Sequence, residues 1–119
     1  MAVSTAVAVR ACERVFARLC ELGRDVPAGT PAAEFLAAAA REIEAARDGL
    51  ETATTGPEYA DVLRRLGHAG GLLDGVAQAS GATPPEGLDR LSVIVDGLKV
   101  TISTSEREGR LRRRGDGAG

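Results

Sequence analysis

The chain has 119 residues, 44% of them hydrophobic, and a formal net charge of −2. That length fits one domain with one modest core, and the charge excludes a domain that binds nucleic acid through overall positive charge. Alanine is abundant, tryptophan is absent, and the aromatic residues are one tyrosine and two phenylalanines, so closely packed helices are favoured over a β-sandwich. The apolar stretches are too short to span a membrane, so we expect no membrane association.

The first helix is predicted over about residues 4–22, with Gly23 placed to end it. Its apolar face includes Cys12 and Cys20, which lie too far apart along a helix for a disulfide, about 12 Å. We expect both thiols to be reduced, buried and unreactive. The start of the chain also lacks the basic and long apolar regions of a secretion signal, so the predicted location is cytoplasmic.

The second and third helices have clear start signals. Thr30 followed by Pro31 is typical of an N-cap with proline at the first helical position, and apolar residues then recur by threes and fours as far as Leu50. Thr55 and Glu58 fit a capping box at the start of the third helix. Both segments are therefore predicted to be amphipathic helices.

The middle of the third helix is rich in glycine. Gly67, Gly71 and Gly75 recur every four residues and form a groove where another backbone can approach closely. We expect the neighbour to be another helix of the same chain; a second copy of the protein is the alternative, and glycine usage set by a GC-rich genome is a third explanation. Each glycine also costs about 1 kcal/mol relative to alanine in a helix, so a kink is predicted here.

The fourth segment allows two interpretations. As a helix, it is capped at Thr83 and its apolar residues recur by threes and fours over 88–102. As a hairpin, Asp96 and Gly97 form a type I′ turn between two strands within 92–103. We favour the helix, because the same Asp-Gly pair occurs twice more inside segments with a helical pattern.

On the helical interpretation, Val93 and Val100 lie opposite the main apolar stripe of the fourth segment. Two valines in line on a polar face form a candidate contact surface, so we expect self-association as a homodimer. Two counter-arguments stay open. Scattered apolar residues are normal on protein surfaces, and a hairpin would bury both valines without a partner.

From residue 107 the pattern dissolves into an arginine-rich and glycine-rich tail, which we expect to be flexible. The arginine cluster has three interpretations: a solvated chain end, a nonspecific nucleic-acid contact, or a contact with an acidic protein partner. The acidic body and the shortage of aromatic residues for base stacking argue against nucleic acid. The arginines are Arg110, Arg112, Arg113 and Arg114.

Residues with catalytic or metal-binding chemistry are few. His68 is the only histidine, which excludes a multi-histidine metal site within one chain. A nucleophilic thiol activated by His68 is disfavoured, because Cys12 and Cys20 both fall on the apolar stripe. We therefore expect no metal and no cofactor. An enzyme or small-molecule site would need a pocket built around residues such as Tyr59, His68 and Arg64.

These patterns predict an all-α protein. Residues 1–106 form an up-down four-helix bundle and residues 107–119 a flexible tail, with three helices plus a β-hairpin at 92–103 as the alternative. The predicted function is a non-catalytic helical interaction or adaptor module that acts through protein–protein contacts and self-associates. Two other functions stay open: a small nucleic-acid-associated regulator that uses the arginine-rich tail, and a small-molecule-binding bundle or enzyme.

Overall fold

The fold comes from a computed structural model, which describes residues 5–107. It has four helices: α1 (Thr5–Arg24), α2 (Pro31–Thr52), α3 (Gly56–Ser80) and α4 (Leu88–Arg107). The predicted all-α four-helix fold is confirmed. The hairpin alternative is wrong, because residues 92–103 all lie inside α4.

The predicted starts of α2 and α3 are confirmed. The Thr30 hydroxyl accepts a hydrogen bond from the Ala33 amide at 3.2 Å, and proline opens α2. At α3 the capping box is complete, since the Glu58 amide donates to the Thr55 hydroxyl while the Glu58 carboxylate accepts from the Thr55 amide at 3.0 Å. Each cap satisfies amide groups that have no partner within the helix.

Two predicted helix ends are corrected. Helix α1 does not end at Gly23 but continues to Arg24. Helix α4 starts at Leu88 rather than directly after a cap at Thr83. The reason is that Pro84 would have to be helical while preceding another proline, a position that disfavours the helical conformation. The chain turns instead through Gly87, which has a left-handed φ of +91°.

The helices run antiparallel, as an up-down bundle requires. The glycine-rich stretch predicted to kink α3 lies within one continuous helix. Contacts that fix the directions join the first half of α1 to the second half of α2, late α2 to early α3, the start of α3 to the end of α4, and late α1 to the start of α4. The pairs are Glu13 with Arg47, Gly49 with Val62, Gly56 with Glu106, and Arg18 with Gly87.

The core is made mostly of small and branched aliphatic side chains, with Tyr59 fully buried among them. Several core alanines have no exposed surface, which lets the helix backbones approach closely. The α2–α3 interface is the most extensive of the four, and the α1–α4 interface is the smallest. The ring of helices is therefore packed unevenly, and its α1–α4 side is the open one. The fully buried alanines are Ala8, Ala39, Ala46 and Ala69.

Two glycines inside helices provide a test of this packing. At Gly71 an added Cβ would meet nothing within 4 Å, so Gly71→Ala should raise the free energy of unfolding by about 0.5–1 kcal/mol. At Gly49 the Cβ would lie 2.9 Å from a methyl group of buried Val62, so Gly49→Ala should lower it by about 1 kcal/mol or more. Urea unfolding followed by circular dichroism measures both. Equal stabilisation by the two substitutions would contradict the close α2–α3 contact.

Candidate functional site

The large exposed hydrophobic residues concentrate on two helices. Val93 and Val100 are 70% and 63% exposed on α4, on the side opposite the core, where the helical pattern places them. Ile94 and Val7 are also exposed, at 42% and 44%. Among residues 5–107, these four are the only large exposed hydrophobics, and all belong to α1 or α4. We call Val93, Gly97 and Val100, which follow one line along α4, the outer α4 patch.

A groove of about 700 Å³ lies between α1 and α4. Its apolar floor combines Val15 and Leu91, which belong to the core, with Ala11 and Ile94 at its side. The small side chain of Ala11 leaves space that a longer side chain would occupy. The groove therefore follows from the small α1–α4 interface, and we call it the α1–α4 groove.

Arginine side chains line the α1–α4 groove. Arg14 and Arg18 reach it from α1 and Arg90 from α4, together with the acidic Glu86 and Asp89. The Arg18 guanidinium lies over Gly87 and pairs with Glu21 at 3.6 Å. Arg14 and Arg90 form no ion pair with any residue between 5 and 107. The groove thus combines an apolar floor with two guanidinium groups, those of Arg14 and Arg90, that have no counter-ion within residues 5–107.

Arg47 and Arg65, by contrast, have counter-ions on neighbouring helices. Arg47 pairs with Glu13 at 2.9 Å, and also with Asp48 and Glu51, which ties α2 to α1. Arg65 pairs with Glu42 at 3.0 Å and so ties α3 to α2. These pairs are at least partly exposed, so each contributes about 0–1 kcal/mol to stability. They nevertheless neutralise positive charge on this side of the bundle.

His68 is exposed and takes part in this network of ion pairs. Its ring Nδ1–H donates a hydrogen bond to the Glu42 carboxylate, which also accepts from Arg65. The hydrogen bond from His68 lowers the pKa of Glu42. Asp61, which lies on the same helix as His68, pairs with Arg64 and Arg65. This is a surface network joining α2 to α3.

Tyr59, His68 and Arg64, which an enzyme or small-molecule site would have needed around one pocket, do not line a common pocket. Tyr59 has no exposed surface and belongs to the core, while Arg64 and His68 are exposed. Tyr59 falls on the inward stripe of α3, so its ring fills the core instead of lining a cleft. The groove between α1 and α4, by contrast, combines an apolar floor with several basic side chains.

The three glycines predicted to form one groove face different neighbours. Gly75 lies under the ring of Phe35 in α2, with ring carbons 3.3 Å from the position of a Cβ. Gly67 faces Lys99 of α4, and Gly71 is exposed with open space beside it. A four-residue spacing advances about 40° around a helix, so the line crosses from the α4 side of α3 to the α2 side. Close helix approach is therefore limited to Gly75.

The cysteines differ from each other, contrary to prediction. Both are free; Cys12 is buried, but Cys20 is exposed. Cys20 lies eight residues beyond Cys12, which advances about 80° around the helix and takes it off the centre of the buried face. Neither contacts His68, whose partner is Glu42. Within residues 5–107, no cluster of three or more His, Cys, Asp or Glu side chains is placed to hold a metal ion.

The arginine cluster Arg110, Arg112, Arg113 and Arg114 lies outside the described residues. Of the helices in the described part of the chain, none is long and apolar enough to cross a membrane. Comparison of the chain with protein-family models, with curated proteins and with solved structures finds no match. The surfaces of α1 and α4 are therefore the features of the molecule that bear on its function.

The groove was missed by sequence reasoning, although part of its signal is visible. Arg10, Arg14 and Arg18 recur every four residues along one side of α1. Like charges at this spacing destabilise a helix slightly, which marks the stripe as unusual. The sequence does not show, however, that Arg90 and Ile94 of α4 lie opposite this stripe.

The cysteines should react with a thiol reagent at very different rates. Burial raises the pKa of Cys12 from 9.0 to about 11. At pH 8 the reactive thiolate fraction of Cys12 is therefore about a hundredfold lower than that of a thiol with a pKa of 9.0. Cys20 is exposed and should be labelled quickly in the native state, with Cys12 following only on unfolding. Cys20→Ser should remove the fast phase and Cys12→Ser should keep it. Two equally fast native phases would contradict the burial of Cys12.

Acid should remove a stabilising contribution of Glu42. Because the folded-state pKa of Glu42 lies below its value in the unfolded chain, this contribution is present above the unfolded pKa and is lost as pH falls through the folded pKa. Glu42→Gln should therefore cost about 0.5–1 kcal/mol at pH 6 and less at pH 3. Urea unfolding of both proteins at the two pH values measures this. A stability difference between wild type and Glu42→Gln that is larger at pH 3 than at pH 6 would contradict this prediction.

Proposed function

We propose that the protein is a non-catalytic helical interaction module that associates with a second copy of itself through the outer α4 patch. The observation that supports this is the exposure of Val93 and Val100, at 70% and 63%, on the outer face of one helix. Removing such side chains from water is favourable, by about 25 cal/mol per Å² of apolar surface. The patch is small, so the association is expected to be of micromolar strength.

An antiparallel pairing of α4 with α4 of a second copy fits the order of residues in the patch. With the two-fold axis near Gly97, Val93 of each copy packs against Val100 of the other. Gly97 has no atoms within 4 Å of where a Cβ would lie, so it leaves room for the second helix.

Asp96 is an acidic residue close to the proposed two-fold axis. It lies in α4 next to Gly97, so pairing would bring the Asp96 carboxylates of the two copies near each other. Its carboxylate leans towards α3, where Oδ1 is 3.8 Å from the position of a Cβ on Gly70. The charge is therefore directed to the flank of the interface, where water screens it.

Free cysteines also agree with a cytoplasmic location, which we propose for this module.

Sedimentation velocity of wild type and of a Val93→Lys, Val100→Lys double variant tests self-association. We expect a dimer for wild type at ~100 μM, well above a micromolar Kd, and a folded monomer for the variant, since like charges and lost apolar surface disfavour pairing. An Ala37→Lys, Ala60→Lys variant adds the same charge at exposed positions on α2 and α3 and should remain dimeric. A wild type that stays monomeric at this concentration would overturn the proposal.

A further inference from the structure

The α1–α4 groove has the size and position of a small-molecule site. Its volume of about 700 Å³ falls within the range of about 300–1,000 Å³ that is typical of ligand pockets. Such sites commonly lie between the helices of a bundle and combine an apolar lining with a few polar groups. This groove has both features, because buried Val15 and Leu91 form its floor and arginines form its walls.

The charge of the groove points to an anion. Arg14, Arg18 and Arg90 line the groove together with Glu86 and Asp89, so three cations against two anions make it locally positive on a chain whose formal net charge is −2. Asp89 lies in the first turn of α4, where a carboxylate stabilises the helix N-terminus. No comparable structural role accounts for Arg14 and Arg90, which lack ion pairs within residues 5–107.

The arrangement along the groove separates charge from apolar surface. Arg18 lies at the end of the groove near Gly87. Because α1 and α4 are antiparallel, this contact places Arg14 opposite Arg90 and Leu91, and Ala11 opposite Ile94. Ile94 is 42% exposed, and Val7, one helical turn beyond Ala11, is 44% exposed. The positive charge is thus at the middle of the groove, and an exposed apolar track about 10 Å long leads away from it.

We propose that the α1–α4 groove binds a small amphipathic anion, a free molecule with one carboxylate, sulfonate or phosphate group and an apolar body. The anionic group sits between Arg14 and Arg90, away from Glu86, and the body covers Ala11, Ile94 and Val7. Guanidinium groups bind such oxyanions through charge-assisted hydrogen bonds. This site goes beyond the interaction module proposed above and does not depend on self-association, since the outer α4 patch uses different residues.

Decanoate is the probe, with decyltrimethylammonium as a cation with the same ten-carbon chain. Titration of isotope-labelled protein, followed by amide chemical shifts, should show saturable decanoate binding with a Kd on the order of 100 μM and shifts that cluster at residues 7–18 and 87–94. The cation should bind at least about tenfold more weakly, and added salt should weaken decanoate binding. Equal binding of anion and cation, or shifts that cluster elsewhere, would overturn the proposal.

Charge-neutral variants test the roles of the arginines. Arg14→Gln with Arg90→Gln should weaken decanoate binding about tenfold, since a loss of about threefold for each guanidinium at a partly exposed site multiplies to about tenfold. Arg24→Gln with Arg41→Gln removes the same charge from exposed positions outside the groove and should bind as wild type does. Circular dichroism confirms that both are folded. An equal loss of decanoate affinity in both variants would mean that overall charge, not this groove, determines binding, and would overturn the proposal.

Two further outcomes separate this site from the proposed self-association. The Val93→Lys, Val100→Lys variant should bind decanoate with wild-type affinity, even where it is monomeric. Shifts at residues 11–18 that follow protein concentration without decanoate would mean that a second copy covers the groove, which would overturn the ligand proposal. Lack of saturable shifts at ~2 mM decanoate, about twenty times the expected Kd, would also overturn it.

Discussion

The close pairing of α2 with α3 sets the shape of the whole bundle. Glycine and alanine at their interface bring the backbones together: a Val62 methyl group lies 2.9 Å from where a Cβ of Gly49 would be, and the Phe35 ring covers Gly75. Helices α1 and α4 then pack on opposite edges of this pair, α1 on α2 and α4 on α3. They meet each other across the smallest interface, and the α1–α4 groove is the space that remains between them. A wider α2–α3 spacing would require longer side chains to fill the core.

The distribution of charge follows the same division. Where helices pack closely, between α1 and α2 and between α2 and α3, arginines meet carboxylates across the interface, as Arg47 meets Glu13 and Arg65 meets Glu42. Where packing is loose, the arginines of α1 and α4 face an apolar floor. The first group adds modest stability and fixes the relative position of the helices. In the second group, Arg14 and Arg90 form no ion pair within residues 5–107, so their guanidinium groups can bind an anionic ligand.

Local sequence signals predict the helices of this protein well, and long-range arrangement poorly. Thr30 and Thr55 cap helices as expected because a cap needs only three or four neighbouring residues. The N-terminal end of α4 was misplaced because Thr83 resembles a cap, while the consecutive prolines that follow prevent a helix there. The exposure of Val93 and Val100 followed from periodicity alone. The exposure of Cys20 did not, because it depends on which neighbouring helix covers each side of α1.

The two surfaces of α4 are independent for a geometric reason. Val93 and Ile94 are adjacent in sequence, but successive residues point about 100° apart around a helix. Val93 therefore faces outward to the proposed second copy, while Ile94 faces α1 and the groove. A molecule in the groove would contact both α1 and α4, and would strengthen the one weak side of the bundle by mass action on the folded state. Because that molecule would not cover Val93 or Val100, it would stabilise the fold and leave the outer α4 patch accessible for self-association.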